Sequence, residues 1–415
     1  MESLRDIGYD LSAAVADLVD NSLDADATSV EIDLVHDREG GWVRIADDGC
    51  GMTEGALDEA MRYGSSRSYG DSDLGHFGLG LKTASLSQAR RLTVATRSTL
   101  RGPVRIRRWD LDLVAEIDDW QLERLTPARA PAHLVEPLRD RTGTVVLWER
   151  LDRLHTSRRH DGEAAANRLA TAAREITDHL SMVFHRFLDG EAHSEPLELF
   201  VNGDRVRAWD PFARGERHTQ ILTEQRLALE HHGEEHTVVV RPHILPAQQL
   251  FSSAEAHDRA GGPNRWNRQQ GLYIYRRDRL IQSGGWNRLR TLDEHAKLAR
   301  IALDIPSGPD SAFRTNVAKM TVGLPETLRP ALRALVAGVV ARAQSSYRHR
   351  LRALPAPETR EAPTGRTVTI GDQWPQISEV LEQNLADQPE LLDRILVALA
   401  NVRPAESSPP AAARG

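Results

Sequence analysis

Asp17-Leu18-Val19-Asp20-Asn21-Ser22-Leu23-Asp24-Ala25 is the stretch on which the reading of this chain turns. It closes a helix expected over residues 9–25, where Leu11, Val15, Leu18 and Val19 recur at helical spacing. On that helix Asp17, Asn21 and Asp24 are four and then three residues apart and share one face. The face is polar within an otherwise apolar helix. A carboxylate there can orient a water, and a carboxamide oxygen one turn on can ligate a hard cation such as magnesium. Taken alone, the same residues also fit an ordinary solvated face. Asp20 reads as a supporting or solvent-facing side chain.

Outward from this helix, Ser29–Val35 alternates with Val30, Ile32 and Leu34 on one face, and Trp42–Ala46 follows as a second strand. Asp47-Asp48-Gly49-Cys50-Gly51-Met52 then breaks the pattern as a turn. Glycines let a backbone approach a flat ligand closely, and a buried aspartate can accept a hydrogen bond from an exocyclic amine. Alone, this run is a weak signal that also fits a surface turn. Cys50 reads as a small packing residue. Residues 54–63 read as a helix and residues 64–80 as a loop rich in Gly, Ser and Asp. That loop ends in Gly75-His76-Phe77-Gly78-Leu79-Gly80-Leu81-Lys82, which leads into a helix over Leu81–Gln88. Backbone N–H groups at a helix start suit phosphate, and Lys82 adds charge. A Rossmann turn would need a strand before it and a P-loop a G-x-x-x-x-G-K-[ST] run; neither is present. Strands are expected at Leu92–Arg97, Val104–Trp109 and Thr144–Trp148.

In this order and spacing, the three segments resemble the GHKL ATPases, or Bergerat fold. That family comprises gyrase-type topoisomerases, chaperones of the ninety-kilodalton heat-shock class, MutL, MORC proteins and histidine kinases. The resemblance spans residues 1–150. It implies an α+β protein, with a Bergerat α/β sandwich over residues 1–155 that binds ATP and magnesium. It further implies Asn21 as the magnesium ligand, with Asp24 on the same cofactor-binding face. Asp47 becomes the acceptor for the adenine amine, with Gly49, Gly51 and Met52 shaping the base pocket. Residues 64–80 become a lid, with Gly75, Phe77, Gly78, Gly80 and Lys82 at the phosphates. Thr144, in Thr142-Gly143-Thr144-Val145, matches the family's late Gly-Thr beside the adenine site. Position 17 departs from the pattern: hydrolysing members commonly carry Glu four residues before the Asn. Asp17 is one methylene shorter, so the resemblance implies a catalytic carboxylate with slow hydrolysis.

Beyond a boundary expected near residue 155, a helix is expected over 162–188, strands at 197–201, 237–241 and 271–275, and a closing helix over 327–352. Pro196-Leu197-Glu198-Leu199-Phe200-Val201-Asn202-Gly203-Asp204-Arg205-Val206 signals a β-hairpin through its Asn-Gly turn. It resembles a hairpin that follows the ATPase domain in MORC-like proteins, and Gly271–Ile281 with Gly285-Trp286 resembles sequence of the same group. Residues 156–352 therefore resemble a second, α+β transducer domain. Phe313-Arg314-Thr315-Asn316-Val317-Ala318-Lys319, then Leu324-Pro325, resembles the segment that delivers a lysine to the terminal phosphate; Lys319 takes that role and joins Asp17 as a catalytic residue. From residue 353 the composition turns to Pro, Glu, Thr and Ala, a linker pattern, with a helix expected at 375–402 and a disordered end.

Arg265, Arg268, Arg276, Arg277 and Arg279 lie among Trp266, Tyr273, Tyr275 and Trp286, a mixture that suits a nucleic-acid backbone and exposed bases. Equally, Tyr273 and Tyr275 alternate on a strand and fit packing. The net charge of −7 argues against a grip on nucleic acid by the molecule as a whole. One cysteine excludes an internal disulfide and a thiolate zinc cluster. With no apolar run long enough for a bilayer and no secretory pattern at Met1–Asp6, a cytoplasmic protein is expected. By resemblance, the function expected is an ATPase acting as an ATP-dependent homodimeric clamp in DNA handling, restriction–modification or phage defence. The alternative is a nucleotide-gated scaffold or chaperone-like module with little turnover, whose protein partner binds the C-terminal helix.

Overall fold

A computed structural model of the chain describes residues 10–37, 41–62, 80–119, 121–153, 162–193, 195–306, 308, 312–313 and 322–353. The expected tail helix at 375–402 and disordered end lie outside them. By chain contacts the molecule divides into residues 1–351 and residues 352–415.

Helix α1 (Leu11–Asp24) starts where the Asp10 carboxylate accepts the Ala13 N–H at 2.7 Å, and ends at Asp26, whose φ is +57°. Strands β1 (Ser29–Val35) and β2 (Trp42–Asp47) pair antiparallel, with Ile32 opposite Ile45. Helices α2 (Glu54–Met61) and α3 (Gly80–Gln88) precede β3 (Arg91–Arg97) and β4 (Arg105–Asp110). Next come α4 (Leu111–Ile117), β5 (Glu123–Leu125), the short α5 (Ala132–Val135) and β6 (Gly143–Glu149). The long α6 (Gly162–Val183) runs through Phe184 into α7 (His185–Leu188), followed by β7 (Glu198–Val201) and β8 (Asp204–Arg205).

These strands form one sheet in the order β5-β4-β3-β6-β2-β1-β7-β8, antiparallel except for β1 and β7. Its side chains alternate between two cores, as a period of two dictates. Val43, Ile45, Val146 and Trp148 face α1, α3 and α6, while Ala46, Val145 and Leu147 face Leu134 and Leu138 around α5. The expected strands are therefore present to within a residue or two. The Asn202-Gly203 turn is also present, with φ of +51° and +84°. Its hairpin, however, belongs to the first sheet. Ser29 sits opposite Glu198, and Asn202 Oδ1 accepts the Leu34 N–H at 2.8 Å. The first core thus runs on to Val206, well past the boundary expected near 155.

The second sheet contains β9 (Gln220–Ile221), β10 (Gln225–His231), β11 (Glu234–Ile244), β12 (Gly271–Arg276), β13 (Arg279–Ser283) and β14 (Ala299–Ile305). Its path is β10-β11-β14-β12-β13, with β9 on β11. Helices α8 (Ala254–Gly261) and α9 (Arg265–Gln269) lie between β11 and β12 in the chain, and α10 (Arg329–Ala353) follows β14. Leu332, Val336, Val339 and Val340 of α10 pack on Ile301, Leu303 and their neighbours. Helix α6 serves both parts. Ile176, Leu180 and Val183 enter the first core, and Met182 enters a cluster with Tyr273, Tyr275 and Leu280 of the second sheet.

Candidate functional site

The end of β2 carries Asp47 into the interior, where it is buried. Its Oδ1 accepts the N–H groups of Gly49 and Thr144, each at 3.0 Å, and Oδ2 lies 3.3 Å from the Ser22 hydroxyl. Ser22 shares its single proton with the Leu18 carbonyl at 3.1 Å. Three elements therefore meet on one carboxylate: α1, the β2 turn and the start of β6. Burial pushes the Asp47 carboxyl up to about 6, against the downward pull of the Gly49, Thr144 and Ser22 donors. A carboxylate oxygen has two acceptor directions, so Oδ2 retains capacity for a ligand donor beside Ser22.

The turn after Asp47 depends on glycine. Gly51 has φ of +63°, and a Cβ there would stand 2.2 Å from the Arg97 carbonyl oxygen. Gly143 has φ of +141°, and its Cβ would stand 2.0 Å from the Asp47 carbonyl oxygen. A Cβ on Gly49 would meet the Ala25 carbonyl oxygen at 2.7 Å. The turn is pinned to the end of α1 by the Cys50 N–H, which donates to Ala25 O at 2.9 Å. Cys50 itself is exposed, so its side chain does not do the packing expected of it. The Met52 N–H donates to Thr96 Oγ1 at 2.8 Å, and Thr96 Oγ1 donates to Gly143 O at 2.9 Å. Thr96 also lies 3.2 Å from the Thr144 hydroxyl. Asp48 ties the turn from outside by accepting the Thr28 and Ser29 N–H groups at 2.8 Å.

Along α1, Asn21 and Asp24 are exposed whereas Asp17 and Asp20 are buried. A Cβ on Gly80, at the start of α3, would come within 4.0 Å of Asp17 Oδ2. The structure thus brings Asp47, Gly49, Gly51, Met52 and Thr144 together beside the C-terminal end of α1, while Asp17, midway along the helix, faces Gly80. Gly75, Phe77, Gly78 and Lys319 lie outside the described residues.

Two expectations need correction. Asp20 does not face solvent: it is fully buried and accepts Arg279 Nε at 2.8 Å. Lys82, expected at phosphate, is buried with its ammonium on the carbonyls of Ala60, at 3.1 Å, and Arg62. It closes the C-terminal end of α2, where carbonyls otherwise lack partners. Burial holds this lysine below its usual range, with Glu59 opposing.

The expected basic patch is also rearranged. Arg276 and Arg279 are buried, as are Tyr273, Tyr275 and Trp286. Strand β12 lies between β13 and β14 with both faces covered, so its rings cannot stack on bases. Arg265 and Arg268 are exposed, and Arg277 is half-buried.

Sequence reasoning missed Ser22, Thr96 and the Asp20–Arg279 pair. Ser22 lies within the Asp17–Ala25 stretch and continues the inward side of α1. Thr96 carried no local signal, because its role arises from pairing with β6.

Residues 9–144 match the family model described as "Histidine kinase-, DNA gyrase B-, and HSP90-like ATPase". A stretch of 87 residues, 20% of this chain, is 34% identical to "ATPase morc-1" of Caenorhabditis elegans. The match spans about a tenth of that protein's length. Among the described residues, no helix is long and apolar enough to cross a membrane.

Proposed function

The chain carries a GHKL-type ATPase domain, and from that premise we propose that it binds ATP with magnesium at the end of α1 and hydrolyses it slowly. The observation that carries this reading is Asp47: buried, held by two backbone donors, and set in a turn whose glycines let the end of α1, the β2 turn and the start of β6 close up against one another around the carboxylate. Asp47 Oδ2 accepts the adenine amine, with Gly51, Met52 and Thr144 around the base. The residues present suit a magnesium nucleotide. Asn21 is an exposed carboxamide one helical turn from Asp17, and it offers a hard oxygen ligand. Among the described residues, no trio of His, Cys, Asp and Glu gathers as a metal cluster. The phosphates themselves complete such a site. The bound metal would offset charge on the phosphates. Asp17 accepts a proton from the attacking water, and Lys319 reaches the terminal phosphate as a charge that senses its presence.

The second sheet and its helices act as a transducer. Residues 64–80 serve as the lid over the phosphates, and bound ATP shifts the population towards a closed homodimer, a clamp used in DNA handling, including defence against phage. Exposed Arg265 and Arg268 are the DNA contacts this reading retains. The test is size-exclusion chromatography with a non-hydrolysable ATP analogue, alongside phosphate release with and without duplex DNA. An analogue-induced shift to twice the mass, and DNA-stimulated release that Asp17→Asn abolishes, support the clamp. An unchanged elution volume with nucleotide bound sinks it.

A second reading is favoured by the short, buried Asp17. A nucleotide-gated scaffold for a protein partner needs binding and closure but little turnover. It predicts the same mass shift without DNA-stimulated phosphate release.

A further inference from the structure

The tip of the β12–β13 hairpin touches the helix that carries the candidate site. The turn consists of Arg277 and Asp278, with φ of +51° and +63°. Neither is glycine, so the left-handed backbone at both positions costs about 1 kcal/mol or more each. The surroundings hold it there. Asp278 pairs with Arg186 of α7 at 3.0 Å, and Arg186 also pairs with Asp304 of β14. The Arg186 guanidinium lies 3.6 Å from the Tyr275 ring centre. The hairpin tip is thus fixed to the end of the α6–α7 rod.

Directly after this turn, Arg279 projects into α1. Its Nε donates to Asp20 Oδ1 at 2.8 Å, and its Nη2 lies 3.8 Å from Asp17 Oδ1. The side chains of Arg279, Asp17 and Asp20 are 6%, 5% and 1% exposed. Two carboxylates cannot be buried side by side without a cation unless they give up charge, and a guanidinium spans residues three apart on a helix. The hydrogen-bonded Asp20–Arg279 pair thus serves as an anchor, from which the same guanidinium comes within ion-pair distance of Asp17, beyond hydrogen-bond length.

We propose that Arg279 is a positioning residue for ATP hydrolysis: anchored on Asp20, it holds the Asp17 carboxylate, so the seating of the second sheet sets how well Asp17 directs the attacking water. This rests on the reading of Asp17 as the proton acceptor. It adds a second route from the second sheet to the chemistry, separate from Lys319, that acts on the acceptor and leaves the phosphate untouched. A displacement of the carboxylate by a fraction of an ångström lowers turnover without altering adenine contacts.

The test compares the full-length chain with Asp17→Asn, Arg279→Gln, Arg279→Lys and the double variant Asp20→Asn/Arg279→Gln. Each is measured for kcat, KM, affinity for a non-hydrolysable ATP analogue, and melting temperature. Removing Arg279 alone leaves two buried carboxylates without their cation and destabilises the fold, whereas neutralising Asp20 as well leaves only Asp17 and recovers part of the loss. The double variant therefore decides the matter if Arg279→Gln does not fold. The expected result is a kcat about tenfold or more below wild type in both Arg279→Gln and the double variant, with analogue affinity held within about twofold. Arg279→Lys should recover part of the rate. A double variant with wild-type kcat overturns the proposal and leaves Asp17 in its role. If Asp17→Asn hydrolyses as fast as wild type, the reading of Asp17 falls first and the role of Arg279 falls with it.

Discussion

The Thr144 N–H donates to Asp47 Oδ1 across 3.0 Å, joining the start of β6 to the end of β2. That bond, with the Gly49 N–H, leaves the carboxylate aimed past Ser22. The geometry suits an acceptor that must stay dry and fixed before a ligand arrives. Its cost is visible in the carboxyl's preference for a proton up to about pH 6.

That cost has a sign. Asp47 holds its proton more tightly folded than unfolded, where its ordinary value is 3.8. Between about pH 4 and pH 6 the folded state binds more protons at this position, so the contribution of Asp47 to stability falls as pH rises. Asp47→Asn removes the titration with little change of shape. Urea melts at several pH values should show wild type losing stability relative to Asp47→Asn from pH 4 to pH 6. A constant difference between them would contradict the buried environment.

His185 works in the opposite direction. Its Nε2 lies 2.8 Å from the Tyr275 hydroxyl, and burial, then the nearby Arg186, pushes its pKa down to about 3. The unfolded imidazole titrates near 6.5. The contribution is complete above that value and is lost as pH falls towards 3, with a slope of up to about 1.4 kcal/mol per pH unit. Replacement by Phe should make acid unfolding shallower between pH 6 and pH 4, as read from denaturant midpoints.

The glycines separate by surroundings. Gly143→Ala puts a Cβ against the Asp47 carbonyl and should cost about 3 kcal/mol or more, with loss of nucleotide affinity. Gly203→Ala has φ of +84° but no atom within 4 Å, so it should cost about 1 kcal/mol and leave nucleotide binding alone. Chemical denaturation and an ATP titration of both variants check the contrast.

Lys82→Met keeps the buried stem and removes the ammonium from the Ala60 and Arg62 carbonyls. It should cost about 1–3 kcal/mol of stability through the frayed end of α2. A melting temperature equal to wild type would show that those carbonyls find other partners.

Much of the first sheet was legible because its strands alternate cleanly. Val30, Ile32 and Leu34 on one face, and Val145 and Leu147 against Val146 and Trp148, specify register through burial. Strand β13 was not legible, because its turn is Arg277-Asp278 and no glycine or asparagine marks it. The extent of the first core was also hidden. A boundary was expected near residue 155, but β7 returns to pair with β1 across most of the first part's length, a contact that local pattern cannot express. The arginines misled for the same reason. Residue type on a strand does not say which face will be covered, and Arg279 is buried because α1 supplies two carboxylates to receive it.

Calorimetric titration of ATP with magnesium into wild type and Asp47→Asn, with folding checked by circular dichroism, tests the central claim most directly. The account predicts one binding site in wild type and an affinity about ten- to a hundredfold weaker in the folded variant. Wild-type protein that takes up no ATP, or a variant that binds it equally well, would contradict the account.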